Sequence, residues 1–153
     1  MSVLTVGVGQ TYATLAAAVA ASGSFDTINV LAGTYTDDFT TISHPLTIRG
    51  IGGLANFVAV SSPPNGKAIM TVDADLSINS LAFAGAAVGD GNGAGIRYES
   101  GSLTISNSWF HDNQDGILAT PFVANTGTIS IDHSEFDHNG IGDGFTHNLY
   151  AGD

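Results

Sequence analysis

Leu76-Ser-Ile-Asn-Ser-Leu-Ala-Phe83, Leu103-Thr-Ile-Ser-Asn-Ser-Trp-Phe110 and Ile129-Ser-Ile-Asp-His-Ser-Glu-Phe136 align with one another without gaps. They start 27 and then 26 residues apart. A fainter copy, Leu46-Thr-Ile-Arg49, precedes them. Each opens with the apolar-polar-apolar alternation of a half-buried strand. The second halves recur as well. Phe110-His-Asp-Asn113 followed by Asp115-Gly-Ile-Leu118 corresponds to Phe136-Asp-His-Asn139 followed by Asp143-Gly-Phe145. Gly95-Ile-Arg97 takes the place of Gly116-Ile-Leu118 one unit earlier. A period of about 26 residues holding two or three short strands is one coil of a parallel β-helix. Coils stacked ~4.8 Å apart would align Leu76, Leu103 and Ile129 in one inward ladder. Ile78, Ile105 and Ile131 make a second ladder, and Phe83, Phe110 and Phe136 a third. Asn113 and Asn139, at matched corners, are expected to bond their amides up and down the stack.

The rest of the chain fits that reading. Short β-type runs separated by Gly, Asn, Asp and Ser fall at 27–31, 46–49, 57–60, 68–72, 76–78, 96–98, 103–105, 116–119, 129–131 and 148–151. No two-residue Asn-Gly or Asp-Gly turn joins well-matched strands, which argues against an antiparallel sandwich. One helix is legible. Thr11 is its expected cap, and Tyr12, Leu15, Val19 and the alanines to Ala21 form an apolar stripe that Ser22-Gly23 stops.

Composition narrows the function. Three basic residues, Arg49, Lys67 and Arg97, stand against fourteen acidic ones, for a formal charge of −11. Binding nucleic acid through its phosphates needs several Lys or Arg on one face, so no nucleic acid partner is expected. An anionic membrane surface is disfavoured for the same reason. The longest apolar run, Leu15 to Ala21, is far short of the ~20 residues of a spanning helix. There is no cysteine, which removes disulfides, thiolate metal sites and cysteine nucleophiles. The N-terminus carries no basic region before its apolar residues, so it is not read as a signal peptide.

Val6-Gly-Val-Gly-Gln-Thr-Tyr-Ala-Thr-Leu15, Asp26-Thr-Ile-Asn-Val-Leu-Ala-Gly-Thr-Tyr35 and Leu46-Thr-Ile-Arg-Gly-Ile-Gly52 together resemble the N-terminal cap and first coils of the pectin-lyase-like superfamily. The stretch from Asp90-Gly-Asn-Gly-Ala-Gly-Ile-Arg97 to Gly142-Asp-Gly-Phe-Thr-His-Asn-Leu-Tyr150 is similar to a bacterial subgroup of it. The expected fold is therefore all-β, a right-handed parallel β-helix of about five coils. It forms one domain over 1–153, with an N-terminal cap over 1–25 (helix 11–21) and coils from 26 onward. The resemblance implies a carbohydrate-related protein, extracellular or on the cell surface. It is either a polysaccharide lyase or epimerase-like enzyme on an acidic glycan, or a non-catalytic binding or structural module. Relatives continue past the His-Asn-Leu-Tyr segment. The chain is thus expected to be the N-terminal part of a longer protein, or to form a homo-oligomer through an uncapped C-terminal end.

Elimination at a uronic acid needs its carboxylate neutralised, by Ca²⁺ or a cationic side chain, and a base at C5. Arg97 should point outward, with Leu118 and then Tyr150 at the same position of later coils if Asn148-Leu149-Tyr150 aligns with Gly116-Ile117-Leu118. In the other register Phe145 aligns with Ile117 and His147 points inward. Arg97, Asp143, His147 and Tyr150 are the catalytic candidates, Asp143 and His147 as an acid/base pair. Against them stand a plain Arg97–Glu99 ion pair and a Gly-rich corner in which Asp143 caps a turn. Trp109, read as exposed and fit for sugar stacking, joins Asp112, Asp115 and Asn148 as binding candidates. His111-Asp112 and Asp137-His138 also read as ordinary corner residues. Asp90 and Asn92 are weak Ca²⁺ candidates, and no cofactor is otherwise expected.

Overall fold

The computed structural model describes residues 1–119 and 127–151. After β1 (Val3–Val6) and α1 (Leu15–Ala21), the chain winds through β2 (Asp26–Thr36), β3 (Thr40–Ile42), β4 (Leu46–Val58) and β5 (Ala68–Asp73). It continues through β6 (Leu76–Asn79), β7 (Leu81–Ala84), β8 (Ala94–Ser100), β9 (Leu103–Ser106), β10 (Trp109–His111) and β11 (Asp115–Ala119). The last coil holds β12 (Ile129–Asp132), β13 (Glu135–Asp137) and β14 (Leu149–Ala151). Every pairing between these strands is parallel and joins one coil to the next. The result is a β-solenoid of about five turns with, among the described residues, a single short helix.

The expected ladders form. Leu76 pairs Leu103, which pairs Ile129, and Ile78 pairs Ile105, which pairs Ile131. The aromatic ladder is longer than the three repeats indicate. Tyr35, Phe57, Phe83, Phe110 and Phe136 stack face to face at 5.3, 5.6, 5.1 and 4.8 Å between ring centres. One side of the stack presses on Gly95 and Gly116. A Cβ on Gly116 would lie 3.0 Å from the Phe136 ring and 2.3 Å from the Asn148 carbonyl oxygen. The amide ladder also forms: Asn113 Nδ2 donates to Asn139 Oδ1 at 3.0 Å and to the Phe83 carbonyl at 3.0 Å, and its Oδ1 accepts from Ala86 N–H. Between β6 and β7, β9 and β10, and β12 and β13 the chain turns on one residue with positive φ: Ser80 (57°), Asn107 (49°) and His133 (46°).

The helix begins later than the apolar stripe implies. Thr14, not Thr11, is the cap, accepting from Ala17 N–H at 3.2 Å, and Tyr12 lies outside the helix, bridged to Val6. The reason is Asp38. Its Oδ2 accepts from Leu15 N–H at 2.5 Å and its Oδ1 from Ala16 N–H at 3.0 Å, so a carboxylate from the first coil fixes where the free N–H groups start. The helix buries Leu15, Ala18 and Val19 against the first coil. At the other end Ile131, Leu149 and Tyr150 are 37, 40 and 41% exposed. Among the described residues no helix is long and apolar enough to cross a membrane.

Candidate functional site

The sheet of β3, β5, β8, β11 and β14 carries one lateral row on its outer side. Thr71 pairs Arg97, Arg97 pairs Leu118, and Leu118 pairs Tyr150. Ile117 pairs Leu149, which decides the register of the last coil in favour of the Asn148-Leu149-Tyr150 alignment. Arg97 and Tyr150 thus stand two steps, roughly 10 Å, apart on one face.

Arg97 is only 9% exposed. Its Nε lies 3.4 Å from Glu99 Oε1, an ion pair without hydrogen-bond geometry, and Lys67 Nζ reaches the same oxygen at 3.0 Å. The Arg97–Glu99 pair is the one expected from the sequence, and Lys67 is the part of this face that the sequence did not announce. Lys67 sits just before β5, and only the lateral pairing brings it beside Glu99.

Asp115 lies at the start of β11, fully buried. Its Oδ1 accepts the His147 backbone N–H at 2.7 Å, while Oδ2 is buried and has no hydrogen-bond partner among the described residues. Burial pushes its carboxyl above the ordinary value, and the His147 N–H bond and the nearby charges of His147 and Arg97 pull it back. The His147 ring stacks on Tyr150 at 5.5 Å, 8° from parallel. Arg97, Asp115, His147 and Tyr150 therefore occupy one neighbourhood.

Asp143 does not face His147 as an acid/base partner. Its Oδ1 accepts from Phe145 N–H, Thr146 N–H and Thr146 Oγ1 at 2.9, 2.9 and 2.8 Å, closing the glycine-rich turn. Those bonds, the Phe145 N–H first, hold its carboxyl below the ordinary value. Asn148 extends the amide ladder, its Oδ1 accepting from Asn139 Nδ2 at 3.0 Å.

The other candidates lie elsewhere. Trp109 and Asp112 belong to the outer side of β10 and the corner after it. Trp109 is half-buried rather than exposed, because His111 stacks on it at 3.8 Å. Asp112 adopts φ 54° and pairs with His111 Nδ1 at 2.7 Å. Asp90 Oδ1 accepts from Asn92 N–H at 3.1 Å, closing the loop before β8. Among the described residues no group of three or more His, Asp or Glu is placed to hold a metal ion.

This architecture is the right-handed parallel β-helix fold. The chain is similar to alginate lyase AlyGC of polysaccharide lyase family 6, at 19% identity and a TM-score of 0.69 over 91% of this chain and 20% of that one. It is also similar to the deglycosylated pectin methylesterase of Aspergillus niger, at 18% identity and a TM-score of 0.59 over 88% of this chain and 57% of that one. A second form of that esterase gives a TM-score of 0.55. The chain therefore spans about a fifth of the lyase and just over half of the esterase. At these identities the likeness is one of fold. No protein-family model matches the sequence, and no curated protein sequence matches it.

Proposed function

We propose that the outer face of β5, β8, β11 and β14 binds an acidic polysaccharide outside the cell and cleaves it by β-elimination. One observation carries this reading. Two of the three basic residues in a chain of charge −11, Lys67 and Arg97, meet at Glu99 on that face, with the stacked His147–Tyr150 pair also on it. Lys67 and Arg97 would neutralise a uronate carboxylate and acidify its C5 proton. His147 would take that proton. The C5–H electrons then form the C4=C5 bond, the C4–O4 bond breaks, and the leaving oxygen takes a proton from the Tyr150 hydroxyl. An alginate lyase and a pectin methylesterase on the same fold support a carbohydrate ligand. The test is absorbance of unsaturated uronate during incubation with alginate and with pectate, with and without Ca²⁺. A rise that Arg97→Ala and His147→Ala abolish is the expected result. Absence of absorbance on both polymers would sink the proposal.

A second reading has its own support. Asp143 is spent on its turn, and the last coil exposes Ile131 and Leu149. On that reading the face binds glycan without turnover, and the chain self-associates through its last coil. Binding without absorbance, with a sedimentation coefficient that rises with concentration, would favour it.

A further inference from the structure

On the sheet built from β4, β7, β10 and β13 a groove of about 560 Å³ runs along the outer side of the Asn107 and His133 corners. Leu54, Asn107, Trp109, His133 and Glu135 line it. Its size lies within the ~300–1,000 Å³ usual for small-ligand sites. The sequence creates it by a step in side-chain volume. Along the lateral row Asn56, Ala82, Trp109 and Glu135 pair in turn, so the bulkiest side chain follows one of the smallest. His111 covers one face of the indole at 3.8 Å but does not line the groove, whereas Asn107 does. The Trp109 Nε1–H is buried and has no acceptor among the described residues.

We infer that this groove is a binding site for a neutral sugar ring, separate from the acidic-glycan face and independent of it. A pyranose offers a flat C–H face for an aromatic ring and a rim of hydroxyls that both donate and accept. The groove supplies the complementary set: the indole, the Leu54 side chain, the Asn107 amide, the Glu135 carboxylate and the His133 imidazole. Its charge selects against a uronate. Glu135 is exposed in the groove, and Asp132 pairs with His133 at 2.7 Å beside it. Among the described residues no Lys or Arg lines the groove.

Trp109 is the sole tryptophan, so its fluorescence reports on this site alone. The experiment titrates the protein with cellohexaose, xylohexaose, mannohexaose and an oligoguluronate, following tryptophan emission and, for the variants, calorimetric heat. The expected result is a saturable emission change with at least one neutral hexasaccharide and none with the oligoguluronate. Trp109→Ala should weaken that binding at least tenfold and Trp109→Phe by less, with unchanged far-UV circular dichroism. Arg97→Ala should leave it intact, which separates failure here from failure at the other face. No saturable change with any neutral hexasaccharide, or full affinity in Trp109→Ala, would overturn the inference.

Discussion

The Asp115 carboxylate accepts the backbone N–H of His147 at 2.7 Å, across the step from one coil to the next. That bond holds the approach to β14 in place, with the His147–Tyr150 stack two steps along the row from Arg97. It also leaves a buried carboxyl whose other oxygen is unpartnered among the described residues.

Burial raises the Asp115 carboxyl from 3.8, so the folded chain keeps this proton to higher pH than the unfolded chain does. The contribution of this group to stability is therefore full below the unfolded value and falls as pH rises through the folded one. Asp115→Asn keeps an acceptor for His147 N–H and removes the titration. Thermal melts of both proteins should diverge in favour of the variant as pH rises above 3.8. Parallel curves would show that Asp115 does not titrate in this window. Asp115→Ala, which strands the His147 N–H, should cost about 1–3 kcal/mol at low pH, and less as pH rises.

Three other carboxylates work in the opposite sense. Asp26 accepts the N–H groups of Ser2 and Gly23, Asp37 those of Ser61 and Val60, and Asp143 those of Phe145 and Thr146. Each is held below 3.8 by these bonds. Their stabilisation is present above the unfolded value and lost as pH falls through the lowered folded values. Stability should drop as pH falls below about 3.8, and replacing all three with Asn should flatten that drop in acid denaturation curves.

Phe110 sits inside the aromatic stack with rings 5.1 and 4.8 Å away on its two sides, and is 0% exposed. Phe110→Ala opens a cavity between two coils and should cost about 3–5 kcal/mol in urea denaturation, whereas Phe110→Leu should cost less. Equal costs would mean that ring stacking, rather than filled volume, holds the coils.

Glu99 pairs with both Lys67 and Arg97 and offsets part of their charge where they meet. If those cations engage uronates, Glu99→Gln should tighten binding of an oligouronate and steepen its salt dependence in calorimetric titrations. Weaker binding in the variant would assign Glu99 to positioning the two cations instead.

Much of the fold was legible because a β-helix repeats its sequence. Phe83, Phe110 and Phe136, and Asn113 and Asn139, occupy the same place in each copy, so matching letters located contacts 26 or 27 residues apart. The early coils broke that code. Tyr35 and Phe57 join the same stack, but β2 and β4 run 11 and 13 residues through the corner that Ser80 and Asn107 later mark, so no repeat announces them. β3, β10 and β13 span three residues each, too few for a period to be read.

The candidate site was legible only as a set of positions. The order of residues alone determined that Arg97, Leu118 and Tyr150 could share a row, and that charge is scarce and mostly negative. Tertiary structure decided the rest, because hydrogen bonds and ion pairs depend on distance in space. Asp38 chose the start of the helix, Asp143 closed its own turn instead of meeting His147, and Glu99 drew Lys67 to Arg97. Ladder periodicity is written along the chain. Which polar atom meets which depends on how neighbouring coils seat their corners.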